Sequence, residues 1–160
     1  MVSPCRRACT RGSSTYVDIA RPPHRVPSVW LCSHCVVGCW VQVDKLEAYN
    51  KGGMAIGVVT EDFDVNTGIL GAHTGSWGYS GRTGDKGDGI GGFQAYGEKF
   101  ATGDTVTITL NMDAGTLSFH LNGVPQGVAF SEGLLGERLC AAVCIGGVQR
   151  EGGYHAVTLR

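Results

Sequence analysis

Residues 105–130, TVTITLNMDAGTLSFHLNGVPQGVAF, constrain the fold more tightly than any other stretch of the chain. Val106, Ile108 and Leu110 alternate with Thr105, Thr107 and Thr109, so an extended backbone puts an aliphatic row on one face and a hydroxyl row on the other. Leu117, Phe119 and Leu121 repeat the pattern. A loop from Met112 to Gly115 pairs Leu110 with Leu117, Ile108 with Phe119 and Val106 with Leu121, and both apolar rows then fall on the same side. A slip of one residue would send one row to water, so burial itself specifies the register. Asp113 and Gly115 suit a type I turn closed by a residue in the left-handed region. His120 is expected to face outward with the threonines, and Gly127–Phe130 to form a third strand.

The rest of the chain agrees with an all-β fold. Glycine supplies 26 of 160 residues, well above the usual ~7%. Short apolar segments alternate with glycine-rich punctuation: CWVQVDKL (39–46), GMAIGVVT (53–60), GILGAH (68–73), SWGYS (76–80), LCAAVCIG (139–146) and YHAVTLR (154–160) all read as strands. No window has the length and period of a helix. The expectation is an antiparallel β-sandwich in one domain over 36–160, large enough to bury roughly 70% of its unfolded surface. Residues 1–35, with RPPHRVP at 21–27, read as an arm of low order or a partial edge strand. An edge strand missing from the sandwich would leave an apolar strip, and Trp30, Leu31, Val36 and Val37 are candidates to fill it.

A formal net charge of −1 supplies no field to gather nucleic acid or an anionic membrane, and neither is expected as a partner. No apolar segment follows Met1 in the manner of a secretory signal, so the 7 cysteines are expected to be reduced and the location cytoplasmic. A nuclear location stays open, as does an organellar leader carrying Arg6, Arg7 and Arg11.

Leu110-Asn111-Met112-Asp113 followed by Gly115-Thr116-Leu117-Ser118-Phe119 resembles a signature motif of the SPRY domain family. Asn122-Gly123, Gly127-Val128-Ala129-Phe130, SWGY (76–79), YGEKF (96–100) and GDTV (103–106) resemble the family too, over residues 38–160. Cys39-Trp40-Val41-Gln42-Val43 keeps the tryptophan of a further family motif but not its acids. The resemblance implies a concanavalin-like jelly roll without catalytic activity. It would act as a monomer and bind a peptide or partner protein through loops at one edge. Carried over by position, the binding residues would be Asn66 and Thr67 after the AIGVV strand, Arg82 and Lys86 after SWGY, and Ile145, Gly146, Gly147 and Gln149 at the penultimate turn. Arg82 could fork to a carboxylate or carbonyl, and the glycines would admit a peptide backbone.

Several other chemistries find partial signals in the residues. Cys5, Cys9, Cys32 and Cys35 could supply four zinc ligands, but the first pair lacks the usual spacing, and free thiols are the simpler reading. Asp62 and Asp64 would lie on one strand face as in a jelly-roll glycosidase, without a third acid. Gly87–Gly92 matches a dinucleotide-binding pattern only formally, because no helix follows it. Asp85 and Asp88 offer too few oxygens for calcium. The expectation is therefore no cofactor, no metal and no enzyme. Trp77 and Tyr79 are expected to be buried on one face, Tyr49 and Tyr96 to be more open. A lectin-like glycan binder using Asp62, Asn66 and Tyr96 is the alternative function.

Overall fold

A computed structural model of the chain describes residues 9–10, 14–18, 36–45, 53–64, 69–146 and 156–159. These residues form two antiparallel sheets and no helix. In chain order the strands are β1 (Cys9–Thr10), β2 (Ser14–Asp18), β3 (Val36–Lys45), β4 (Met54–Thr60), β5 (Ser76–Ser80), β6 (Asp85–Gly87), β7 (Gln94–Ala95), β8 (Thr105–Asn111), β9 (Thr116–Leu121), β10 (Val124–Phe130), β11 (Leu139–Gly146) and β12 (Ala156–Leu159). The first sheet runs β1-β2-β11-β4-β5-β6-β7, the second β10-β9-β8-β3-β12.

The hairpin that dominates the sequence has the register its apolar rows demand. Val106 lies opposite Leu121, Ile108 opposite Phe119 and Leu110 opposite Leu117. Its turn places Gly115 at φ 63°, and Asn111 Oδ1 accepts the N–H groups of Asp113 and Ala114. His120 sits between Thr107 and Pro125 and is half-buried, where the alternation alone had put it in solvent. From the facing sheet, Met54, Ile56 and Val58 of β4, Trp77 and Tyr79 of β5 and Val143 of β11 meet that inner row, joined by Val41 and Val43 of β3. Each such side chain, taken fully from water, contributes about 1.5–3 kcal/mol before conformational entropy is charged against it.

The first sheet is buried on its outer face as well. Gly57, Gly78 and Gly87 stand in register across β4, β5 and β6, beside Ala142 of β11. This stripe of missing side chains lets residues 69–75 lie directly on the sheet. A methyl on Gly78 would come 3.0 Å from Leu70 Cγ, and one on Gly87 would come 2.2 Å from the Gly71 carbonyl oxygen. Leu70, Val59, Phe63, Ala142 and Cys144 make a second, smaller core there. The 68–73 segment was expected to be a strand, but residues 69–73 form a turn: Ala72 and His73 donate their N–H groups to the Ile69 carbonyl, and Ile69 N–H donates to His73 Nδ1. Leu70 is buried against a glycine floor rather than in a ladder, while Ile69 and Ala72 stay exposed.

Three further expectations change. The polar stretch 81–92 contains a short strand, β6, because Gly78 and Tyr79 offer it an open ladder edge. Val36 and Val37 belong to β3 and pair with Asn111 and Leu110, so they fill no vacant edge; the strand beside β11 is supplied earlier in the chain, by Ser14–Asp18. Trp30 and Leu31 lie outside the described residues. Cys140 is disulfide-bonded, which departs from the expected set of reduced thiols; Cys144 is buried.

Candidate interaction surface

One end of the first sheet brings together the start of β4 and the finish of β5 and β11. Met54 pairs with Ile145 on one side, and its carbonyl accepts the Gly81 N–H on the other. Ala55 pairs with Ser80. The turn 81–84 leaves from this end and carries Arg82, which is exposed and passes beside Gly53: a methyl there would sit 3.1 Å from Arg82 Cβ.

That turn is held from several sides. Gly84 N–H donates to the Ser80 carbonyl, Gly97 N–H to the Gly84 carbonyl and Phe100 N–H to the Gly81 carbonyl. Thr83 Oγ1 lies 3.1 Å from Ser80 Oγ and accepts the Asp85 N–H. The Phe100 ring fills the space above Gly81, where a methyl would come within 2.5 Å of it. Arg82 is thus a long cation projected from a braced turn, which reduces the ordering cost of binding something with it.

Lys86 does something else. Its Nζ donates to the Ala129 carbonyl and lies 5.3 Å from the Phe130 ring centroid and 5.8 Å from that of Tyr96. It latches β6 of one sheet to β10 of the other, and its charge is spent inside the sandwich. Tyr96 is half-buried there too: its hydroxyl donates to the Gly127 carbonyl at 2.6 Å and accepts the Phe119 N–H at 3.3 Å. Burial raises its pKa. Tyr96 is not the open aromatic platform that a glycan-binding reading needs.

Of the positions proposed from the sequence, Arg82 and Lys86 have described side chains, and the two do different things. The backbones of Ile145 and Gly146 sit at the same sheet end as the Arg82 turn, paired to β2 at Thr15 and Ser14. Gly147 and Gln149 follow them, outside the described residues. Asn66 and Thr67 are also outside, in the connection between β4 and β5. Asp62 and Asp64 lie past the end of β4 and are exposed, so the alternate-position spacing that suggested a glycosidase pair does not apply. Of the thiols considered for zinc, Cys5, Cys32 and Cys35 are outside the described residues, as is the side chain of Cys9; among the described residues no group of three or more His, Cys, Asp or Glu side chains converges on a metal position. Tyr49 is likewise outside.

Two features escaped the sequence reading. The glycine-rich loop 88–93 is built rather than slack. Asp88 Oδ1 accepts the Ile90 and Gly91 N–H groups, which lowers its pKa, and Gly89 N–H donates to the Gly71 carbonyl. The loop holds Ile90 81% exposed and Phe93 52% exposed. The second is a polar corner at Asp104, Thr105 and Asn122, for which Asn122-Gly123 was the available signal.

Comparison with known proteins decides the family. The SPRY domain family model matches residues 40–155. The chain belongs to the SPRY domain family. A solved human SPRY domain matches with a TM-score of 0.69 at 17% identity, covering 94% of this chain and 86% of that one. The SPRY domain of human HERC1 matches with a TM-score of 0.68 at 22% identity, covering 92% and 82%. A Drosophila melanogaster Ran-binding proteins 9/10 homolog is 35% identical over 82 residues, which is 51% of this chain and 8% of that protein. SPRY domains are in general non-catalytic interaction modules. Among the described residues no helix is long and apolar enough to cross a membrane.

Proposed function

We propose that this SPRY domain is a non-enzymatic protein–protein interaction module that binds an extended peptide or a partner protein at the sheet end carrying Arg82. The observation that supports this most is the braced 81–84 turn, which carries the exposed Arg82 beside Gly53 and the start of β4, one strand from the end of β11. A guanidinium there offers a forked donor to a carboxylate or to backbone carbonyls of a ligand. The Ile145–Gln149 segment is the second contact in this reading, its glycines admitting a close main chain. Asn66 and Thr67 are further candidate contacts in this reading, and Lys86 acts as a latch beneath the surface.

The match to a Ran-binding proteins 9/10 homolog supports a protein as the partner; in our reading the domain serves as a scaffold or adaptor in the cytoplasm. Affinity capture with wild type and Arg82→Glu tests the site: partners should be lost with the charge reversal. If every partner survives, the site lies elsewhere.

A further inference from the structure

Asn122 and Gly123 form the two-residue loop between β9 and β10, with Leu121 paired to Val124 across it. Their φ values are 52° and 81°, both positive as a type I′ hairpin requires. The Asn122 amide is engaged at both ends. Thr105 N–H donates to its Oδ1 at 2.9 Å, and its Nδ2 donates to Asp104 Oδ1 at 2.8 Å. Asp104 Oδ2 in turn accepts the Ala101 N–H at 2.7 Å. Around them the Asp104 carbonyl accepts the Val43 N–H, and Gln42 Nε2 donates to the Gly103 carbonyl. One amide therefore ties together a corner where β3, β8 and β9 meet.

An asparagine followed by glycine is also the pair most open to self-attack. The Gly123 nitrogen can add to Asn122 Cγ, closing a cyclic succinimide and expelling ammonia. Water then opens either carbonyl of the ring, leaving aspartate or isoaspartate; the net change is loss of an amide nitrogen and gain of an acid oxygen, with no oxidant or reductant. No side chain on Gly123 hinders the attack, and nothing in the fold lies within 4 Å of where one would be. Asn122 is exposed, so water reaches it. What opposes the reaction is the pair of hydrogen bonds that fix the amide plane against Thr105 and Asp104.

We propose that Asn122 is a modification site for spontaneous deamidation, kept dormant by Asp104 and Thr105, and that its conversion loosens this corner irreversibly. The product places a carboxylate where Nδ2 had donated to Asp104 Oδ1. A charge-assisted hydrogen bond becomes two carboxylates at hydrogen-bonding distance, each disfavouring the other.

The test is peptide mapping by mass spectrometry of the full chain, aged at mildly alkaline pH in four forms: native, unfolded in denaturant, Asp104→Ala and Asp104→Asn. Deamidation at Asn122 should be about tenfold or more faster in denaturant than in the native chain, and Asp104→Ala should raise the native rate about tenfold. Circular dichroism establishes that the variant is folded. If it is not, Asp104→Asn carries the comparison: it keeps an acceptor without the charge and should accelerate the reaction less, but measurably. In parallel, Asn122→Asp should lower Tm by roughly 4 °C, and adding Asp104→Asn should recover most of that loss. Equal rates in native and unfolded chains, no acceleration in a folded Asp104 variant, or an unchanged Tm for Asn122→Asp would each overturn the proposal.

Discussion

Tyr79 and Phe119 meet across the interior with ring centroids 5.2 Å apart and planes inclined at 43°, one from each sheet. Tyr96 and Phe100 close around Tyr79 edge-on, at 5.3 and 5.2 Å. This aromatic knot joins the sheets beneath the Lys86 latch. Phe119→Ala should therefore cost about 3–5 kcal/mol, read from urea unfolding. Ser118→Ala, one residue away on the outer side, should stay within about 1 kcal/mol of wild type. Similar losses for both would mean that the inner row is not the stabilising face.

Burial of the Tyr79 phenol, reinforced by Tyr96, Glu98 and Asp104, pushes its pKa up from 10.0 to about 12. The folded state holds this proton more tightly than the unfolded one, so the associated stability is fully present below pH ~10 and is lost as pH rises towards about 12. Tyr96 is shifted in the same direction and adds to the fall. Denaturant midpoints should drop across this window, and Tyr79→Phe should make the slope shallower. An unchanged slope would place the phenol in water.

The glycine stripe predicts sharply different tolerance at positions that look alike in the sequence. A methyl on Gly57 would come 1.9 Å from the Trp77 carbonyl oxygen, which is backbone and cannot yield. Gly57→Ala should abolish soluble expression or lower stability by several kcal/mol, roughly as other severe overpacking does. Gly91→Ala, whose nearest neighbour would be the Gln94 Nε2 at 3.4 Å, should melt within a degree or so of wild type. Thermal melts of the two variants make the comparison.

What the sequence revealed, and what it hid, follows from the range of the forces involved. The β8–β9 register was legible because alternation and burial are local and agree. Trp77 and Tyr79 were legible as an inward pair for the same reason. The turn at 69–73 was not, because Leu70 and Gly71 lie on Gly78 of β5 and Gly87 of β6, which come later in the chain, and a single strand pattern carries no trace of those partners. Lys86 looked like a surface cation until the fold placed Ala129, Phe130 and Tyr96 around its amine. The candidate site was legible only by position: Arg82 and Ile145 were named by family resemblance, and their adjacency rests on the Met54 pairing.

The central claim is that recognition occurs at the Arg82 end of an inert scaffold. Arg138 supplies a matched control at the opposite end: it is exposed, and its bridge to Glu61 at 2.8 Å is of the kind worth at most about 1 kcal/mol. The most direct measurement is quantitative affinity capture with wild type, Arg82→Glu and Arg138→Glu, each verified as folded by its melting curve, followed by titration of the recovered partner against purified protein. Binding should weaken by about tenfold or more with Arg82→Glu and stay unchanged with Arg138→Glu. Full affinity in Arg82→Glu, or a loss confined to Arg138→Glu, would contradict the account.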